Sequence, residues 1–229
     1  MENRDQILLL WDIDGTLMHC GADGTKALNE TFHKICGAEN ATGEIKIGSA
    51  MDSMIVERIM EQYGIPKDQK REILALYAKT LEEILEKNQS KRILPGISEI
   101  LEHYSQKEAF LMGILTSNFK IGADIKLQSV GLKKYFSFGG YGDIDGEKWD
   151  AAKVAIEKAE KLSGRPIEKK HIFLIGDTKY DVECAKKLGI RSVAVGTGWT
   201  DYEALQKEKP DYLFKTLENT KDFYQIFYE

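Results

Sequence analysis

The chain is poor in cysteine, because its 229 residues contain only three: Cys20, Cys36 and Cys184. Their number is odd, and no two of them form a C-x-x-C pair. This spacing argues against a disulfide framework and against a zinc site. We therefore expect three reduced thiols in a cytoplasmic protein.

An excess of basic residues is also lacking. Lysine and arginine number 32 against 37 aspartates and glutamates, which gives a net charge of −5 at pH 7. No basic stripe stands out, so we expect no nucleic-acid partner. An anionic small ligand would need locally placed positive charge or a metal ion.

Long apolar runs are missing as well. The first run, Ile7–Trp11, is too short for the core of a signal peptide and stops at Asp12. No stretch approaches the roughly 18 apolar residues that a membrane span requires. The expectation is a soluble protein with no membrane partner.

Buried strands that alternate with helices dominate most of the chain. Continuous apolar runs, typical of strands buried on both faces, lie at Ile7–Trp11, Phe110–Leu115, His171–Ile175 and Arg191–Val195. Helical patterns occupy Ile121–Val130, Trp149–Leu162 and Asp181–Leu188, and a short strand at Tyr212–Phe214 precedes a helix near Leu217–Phe227. This order predicts an α/β fold with a doubly wound, Rossmann-like and mostly parallel sheet.

The segment after the first strand has a different pattern. No buried strand is recognisable between Met18 and Leu94, and helical spacing covers Thr25–Ile35, Met51–Tyr63 and Lys67–Lys87. The sequence Leu94-Pro95-Gly96 marks the return to the strand–helix pattern. We predict an α/β core domain of residues 1–17 and 95–229, with an all-helical cap domain of residues 18–94.

Polar residues follow three of the strands at the point where each strand ends. In an open α/β sheet that edge is where ligands bind. Asp12 and Asp14 follow the first strand, and two carboxylates so close together repel each other unless a divalent cation or a proton relieves them. Gly15 permits a tight turn behind them. The alternative is a loop with two solvated aspartates.

Two further groups follow the later strands. Thr116, Ser117 and Asn118 offer hydroxyl and backbone N–H groups that can hold an anionic oxygen, or Asn118 can cap the next helix. Asp177 is placed like a metal ligand, and Asp181 lies one helical turn farther on. The alternative is that Asp177 and Thr178 only cap that helix.

A lysine is needed to balance these carboxylates. Lys148 lies just before the helix that begins near Trp149, and its ammonium can act as a point charge beside Asp12. The alternative is an exposed lysine. Lys153 is a weaker competitor, since it lies inside the helix.

Taken in order, these motifs resemble the haloacid dehalogenase superfamily of phosphohydrolases, and the exit Leu94-Pro95-Gly96 is similar to its phosphoglycolate-phosphatase-like branch. The motifs are Asp12-x-Asp14-Gly15-Thr16-Leu17, Thr116, Lys148 and Gly176-Asp177-Thr178-x-x-Asp181. The helical insert matches the position of the family's cap. The resemblance runs through the whole chain.

The resemblance implies a role for each carboxylate. Asp12 would be the nucleophile and form an aspartyl-phosphate, and Asp14 would protonate the leaving oxygen and then activate water. Mg²⁺ would be bound by the Asp12 carboxylate, the Asp14 backbone carbonyl and Asp177, with Mn²⁺ as the alternative. Asp181 would support this metal site.

The remaining roles concern the substrate. Thr116 and Lys148 would complete the catalytic set by orienting the phosphate and the nucleophile, with Ser117 and Asn118 as substrate-binding residues. A cap of this size implies a small soluble phosphorylated metabolite, and Ser49 and Asp52 of the loop Gly48–Asp52 would touch the leaving group or cap their own helix. No pattern indicates an oligomeric state.

The sequence also departs from the family pattern. Lys148 is followed by Trp149, where this branch often has proline. The second aspartate, Asp14, argues against dehalogenation, because true haloacid dehalogenases lack it. Phosphonate hydrolysis needs a cap lysine, for which nothing marks Lys26 or Lys46.

Two other classes share parts of this pattern. A phosphomutase would use the same Asp12 and Asp14 but return the phosphoryl group to a sugar, and the sequence does not separate it from a hydrolase. A phosphorylatable signalling module also combines an aspartate, Mg²⁺, a threonine and a lysine on a doubly wound sheet. Such modules are much shorter, however, and carry the aspartate on a mid-chain strand. A binding protein that has lost catalysis is disfavoured by the intact acidic residues.

Overall fold

The computed structural model describes residues 6–43 and 50–227. The strands are β1 (Ile7–Trp11), β2 (Met18–His19), β3 (Arg92–Ile93), β4 (Phe110–Leu115), β5 (Gly139–Gly140), β6 (Ile172–Gly176), β7 (Arg191–Val195) and β8 (Tyr212–Phe214). The helices are α1 (Asp23–Cys36), α2 (Asp52–Gln62), α3 (Lys70–Lys87), α4 (Ile97–Ser105), α5 (Lys120–Ser129), α6 (Lys148–Ser163), α7 (Lys179–Leu188), α8 (Tyr202–Lys207) and α9 (Thr220–Gln225).

Six strands form one sheet in the order β5-β4-β1-β6-β7-β8, and every neighbouring pair is parallel. The strand β1 lies in the middle, where Leu9 pairs with Met112 of β4 and Phe173 of β6. Chain order reverses on either side of β1, which defines a doubly wound sheet. The predicted fold class is confirmed.

Both faces of β1 are buried, which explains its uninterrupted apolar run. Leu9 and Trp11 face a cluster that includes Tyr104 of α4 and Phe223 of α9. Leu8 and Leu10 face a cluster that holds the alanines of α6 and Cys184 and Ala185 of α7. Because successive side chains of a strand point to opposite faces, a strand covered on both sides has no polar position.

In the described part of the helical insert, α1 packs against α3, and α3 packs against α5 of the sheet region. A two-stranded antiparallel pair, β2 with β3, joins the points where the chain enters and leaves it. This pair was not predicted, because strands of two residues leave no periodic signal. The division at residues 17/18 and 94/95 stays a prediction.

Other elements differ from the predicted set. The strand β5 consists of two glycines, and no apolar pattern marked it. No helix was predicted at the positions of α4 and α8. The last helix, α9, is shorter than predicted. Among the described helices none is long and apolar enough to cross a lipid bilayer.

Candidate active site

The first carboxylate, Asp12, sits directly after β1 and is 7% exposed. Its backbone N–H donates to the Ile175 carbonyl at 2.9 Å, so the ladder to β6 fixes it at the sheet edge. The chain then turns at Gly15, whose φ is 84°. A Cβ at Gly15 would lie 2.6 Å from Asp177 Oδ2. Glycine is therefore required here both for the turn and for the approach of Asp177.

Lys148 joins two of the predicted acidic residues. Its Nζ lies 2.8 Å from Asp12 Oδ1 and 2.6 Å from Asp181 Oδ1. The side chain is 9% exposed because α6 begins at Lys148 itself, one residue earlier than predicted. The competitor Lys153 is 57% exposed and pairs with Asp150 on the same helix. The structure thus places Lys148, and not Lys153, in the acidic cluster.

Asp177 follows β6 and is fully buried. Thr16 Oγ1 donates to its Oδ1 at 3.2 Å, and the Trp199 N–H donates to its Oδ2 at 2.8 Å. A Cβ at Gly198 would lie 1.8 Å from that Oδ2, so the backbone closes tightly over the carboxylate. The N-cap of α7 is Thr178, not Asp177. Asp177 is therefore free of a helix-capping role.

Asp181 serves two groups at once. Its Oδ2 accepts from the Thr178 hydroxyl at 2.6 Å and from the Thr178 N–H at 3.0 Å, which completes a capping box at the start of α7. Its other oxygen faces Lys148. Asp181 therefore holds the ammonium of Lys148 in place beside Asp12.

Three buried carboxylates around one ammonium leave a local excess of negative charge. Burial raises the pKa of Asp12 to about 8 against the lowering effect of Lys148, and Asp181 and Asp177 add to the rise. Burial and the neighbouring Asp181 raise the pKa of Asp177 to about 7. Burial alone would lower the pKa of Lys148, but Asp12 and Asp181 hold it above its usual value. A cation bound here would relieve this repulsion.

The oxygen atoms at this edge suit a hard divalent cation. Within residues 6–43 and 50–227, no three Asp, Glu, His or Cys side chains form a metal-binding group. Mg²⁺ commonly binds through one or two carboxylates and keeps several waters. The carboxylates of Asp12 and Asp177 with a backbone carbonyl fit that mode. They do not resemble a closed structural metal site.

The second group of predicted residues lies beside Asp14. Thr116 is buried at the end of β4, and its Oγ1 accepts from Asn118 Nδ2 at 2.7 Å. Asn118 Nδ2 also donates to Asp14 Oδ2 at 2.8 Å. Ser117 lines the cavity above the sheet. The alternative that Asn118 caps α5 is wrong, because the N-cap position is occupied by Phe119.

Helix α5 is instead capped by carboxylates from distant segments. Asp52, the first residue of α2, accepts from the Phe119 N–H at 3.0 Å, and Asp143 accepts from the Lys120 N–H at 2.7 Å. The prediction that Asp52 caps its own helix is therefore wrong, since the N-cap of α2 is Met51. Burial raises the pKa of Asp52 to about 6. Gly48, Ser49 and Lys46 lie outside the described residues.

One charged residue of the site, Lys126 of α5, was missed by the sequence analysis. Its Nζ lies 2.6 Å from Asp14 Oδ2 and 2.8 Å from Asn118 Oδ1. Burial favours the neutral acid, but Lys126 and Asn118 hold the pKa of Asp14 below its usual value. A signal was present: Ala123, Lys126 and Leu127 share one face of the helix, so Lys126 falls among buried positions.

A cavity of about 650 Å³ opens above these groups. Asp12, Asp14 and Lys148 line its floor, and Tyr77 and Asp52 of the helical insert line its other side. That volume is typical of a small-molecule site.

Comparison with known proteins agrees with this geometry. A family model described as haloacid dehalogenase-like hydrolase matches residues 9–195. PpaX of Caldanaerobacter subterraneus subsp. tengcongensis, named as a candidate pyrophosphatase, is 29% identical over 220 residues, covering 91% of this chain and 90% of that one. A phosphoglycolate phosphatase of Agrobacterium fabrum is 26% identical over 208 residues, covering 89% of this chain and 86% of the relative.

A solved structure supports the fold. CbbY of Rhodobacter sphaeroides, in complex with xylulose-(1,5)bisphosphate, matches with a TM-score of 0.71 and 15% identity, covering 93% of this chain and 96% of that one. At this identity the similarity concerns the fold alone.

Proposed function

The chain belongs to the haloacid dehalogenase-like hydrolases, and on that premise we propose that it hydrolyses small phosphorylated metabolites in a Mg²⁺-dependent reaction through Asp12. That it is a phosphatase agrees with relatives named phosphatases over most of both chains. The observation that carries the rest is that Lys148, which lines the cavity with Asp12, contacts both Asp12 and Asp181, and that Asp177 is close enough to raise the pKa of Asp12.

In this proposal Asp12 attacks phosphorus, and the bond to the leaving oxygen breaks while an aspartyl-phosphate forms. Lys148 holds the Asp12 carboxylate in position by its contact with Oδ1 and adds positive charge near the transferring group. The hydroxyl groups of Thr116 and Ser117 offer donors for phosphoryl oxygens, and the amide of Asn118 orients Thr116 and Asp14 by donating to both. Mg²⁺, when bound by Asp12, Asp177 and the Asp14 carbonyl, would supply charge neutralisation.

The size of the substrate, the cellular compartment of the enzyme and its division into domains belong to the same proposal. The cavity of about 650 Å³ is walled by helices of the insert, which favours a metabolite over a phosphoprotein. All three cysteines are free thiols, as expected for a cytoplasmic enzyme.

We further propose the division into a core domain of residues 1–17 and 95–229 and a cap domain of residues 18–94.

A panel assay tests the reaction. Phosphoglycolate, pyrophosphate, a sugar phosphate and a nucleoside monophosphate are each supplied with Mg²⁺ or with EDTA, and free phosphate is measured. We expect release from at least one compound, and a loss of about 10²-fold or more in EDTA, because the metal contributes several kcal/mol. Adding Mg²⁺ or Mn²⁺ back should restore turnover and identify the preferred ion.

Each other outcome of the assay has a defined meaning. Equal turnover in EDTA would remove the metal from the proposal. An isomerised sugar phosphate in place of free phosphate would point to a mutase. No turnover of any compound by folded protein would contradict the hydrolase of small metabolites.

Removing metal should also make stability depend on pH. The pKa values of Asp12 and Asp177, about 8 and about 7, lie above the ordinary value of 3.8, so the folded state binds more protons than the unfolded chain. Their contribution to stability is therefore lost as the pH rises through 7 and 8. We expect the Tm in EDTA to fall between pH 5 and pH 9, and Mg²⁺ to reduce that fall. Thermal unfolding followed by circular dichroism measures the slope of Tm against pH with and without Mg²⁺. Identical slopes under the two conditions would contradict the metal site.

A further inference from the structure

Lys126 is a buried lysine for which the proposed chemistry has no role. Its side chain is 4% exposed, and it projects from α5 toward the residues after β1. Burying an ammonium is costly unless it is paired and hydrogen-bonded. Its partners are Asp14 at 2.6 Å and Asn118 Oδ1 at 2.8 Å. The lysine is thus paired with Asp14, the residue that the sequence analysis expects to exchange a proton with the leaving oxygen.

The hydrogen bonds distinguish the two oxygens of Asp14. Oδ2 accepts from Lys126 Nζ at 2.6 Å and from Asn118 Nδ2 at 2.8 Å. An oxygen that accepts from two donors this close is not the one that carries a proton. Oδ1 lies 3.5 Å from the Cys20 thiol, a weak donor. Oδ1 is therefore the oxygen left to exchange a proton with a ligand in the cavity.

Neighbouring helices confine the ammonium. A Cβ at Gly24 of α1 would lie 3.3 Å from Lys126 Nζ. A Cβ at Gly122 of α5 would lie 2.8 Å from the hydroxyl of Tyr77, which belongs to α3. Two glycines thus let α1 and α3 of the helical insert close around Lys126. The position of Lys126 Nζ is restricted by packing as well as by charge.

Resting on the proposed function, we propose that Lys126 is a positioning residue for Asp14, holding Oδ2 with Asn118 so that Oδ1 faces the departing oxygen of the substrate. In the first step the bond from phosphorus to the leaving oxygen breaks, the bond to Asp12 forms, and the leaving oxygen takes the proton from Oδ1 of the protonated Asp14 carboxyl. This protonated form is the minor one and a stronger acid than an ordinary carboxyl, because Lys126 and Asn118 hold the pKa of Asp14 below its usual value. In the second step water attacks phosphorus, its proton passes to Oδ1, and the bond to Asp12 breaks.

Leaving-group dependence tests this role. The substrates are the alkyl phosphate that the wild type hydrolyses fastest and p-nitrophenyl phosphate, whose phenolate departs without a proton. For Lys126→Met we expect kcat/KM to fall by about 10²-fold or more with the alkyl ester and within about tenfold with the aryl ester, since general-acid catalysis contributes roughly 10²–10⁴-fold. Lys120→Met, the matched control on the same helix, removes an exposed lysine paired with Asp124 and should leave both values unchanged.

The outcomes separate positioning from a structural role. An equal fall with both esters, or no fall with either, would overturn the inference while leaving the proposed function intact. Absence of turnover by the wild type would overturn the proposed function, and this inference with it. Circular dichroism confirms that each variant is folded.

A double-mutant cycle keeps the test valid if Lys126→Met folds poorly, because Asp14→Asn with Lys126→Met removes both members of the pair. If Lys126 acts through Asp14, adding Lys126→Met to Asp14→Asn should lower kcat/KM for the alkyl ester by less than about threefold. A further fall of more than about threefold in the Asp14→Asn background would show that Lys126 acts independently of Asp14, and would overturn the inference.

Discussion

Asp12→Asn is expected to abolish phosphate release while the protein stays at least as stable as the wild type in EDTA. The amide is not a nucleophile toward phosphorus, so kcat should fall by roughly 10⁴-fold or more, the order of loss that follows removal of a nucleophile. The substitution also removes one of three buried carboxylates near Lys148. Because burial raises the pKa of Asp12 to about 8, its ionised form is disfavoured in the metal-free fold.

Two measurements separate these effects. Phosphate release reports on the reaction, and the Tm in EDTA at pH 8 reports on the fold. The matched control is Asp211→Asn. The Asp211 carboxylate accepts a hydrogen bond from the Ser192 N–H at 2.9 Å, at the start of β7, which is the end of that strand away from Asp12. The control should keep activity within about twofold, since surface changes away from a site have small effects. An active Asp12→Asn variant would contradict the assignment of Asp12 as nucleophile.

The sheet was predictable because its central strands are covered on both faces. The runs at β1, β4 and β7 coincide with the observed strands, since burial of both faces removes polar positions and leaves a continuous apolar signal. The elements that escaped prediction lack such a signal. A two-glycine strand such as β5 is defined by its pairing with Ile114 and Leu115, not by its own composition.

The acidic cluster after β1 and β6 was predictable for a related reason. Parallel strands end at one edge of the sheet, so residues that follow β1 and β6 are brought together whatever lies between them. This places Asp12 and Asp177 side by side from sequence alone. The sequence favoured Lys148 over Lys153 as the lysine beside Asp12, and the structure places Lys148 there, at the first position of α6 after a capping box of Glu147 with Asp150.

The partners of Asp14 and the role of Asp52 were not predictable in the same way. Lys126 and Asp14 are 112 positions apart, and their contact depends on how α5 packs between the sheet and the insert. Asp52 stands at the start of α2, where a capping role for its own helix is the usual expectation. Its carboxylate reaches the start of α5 instead. Both contacts arise from tertiary packing between segments distant in sequence.

Lys148→Met is expected to destabilise the fold and impair turnover together. Removing the ammonium leaves Asp12 and Asp181 buried without the cation that contacts both at less than 3 Å. Removing one partner of a buried ion pair costs about 3–5 kcal/mol. At this chain length each kcal/mol lowers the Tm by about 2–4 °C. Turnover should fall by about 10²-fold or more, because a fixed charge beside the reacting groups is lost.

The pH dependence of the stability lost in Lys148→Met shows whether the charge of Lys148 is the cause of that loss. Without Lys148 the carboxylates take up protons more readily, so the folded state binds still more protons than the unfolded chain. The decrease in Tm caused by Lys148→Met should therefore be largest in EDTA at pH 8 and smaller at pH 5. Lys153→Met, on the same helix but exposed, should change the Tm by less than about 1 °C. Equal losses in the two variants, or a penalty for Lys148→Met that does not grow with pH, would show that Lys148 stabilises the protein by packing and not by its charge.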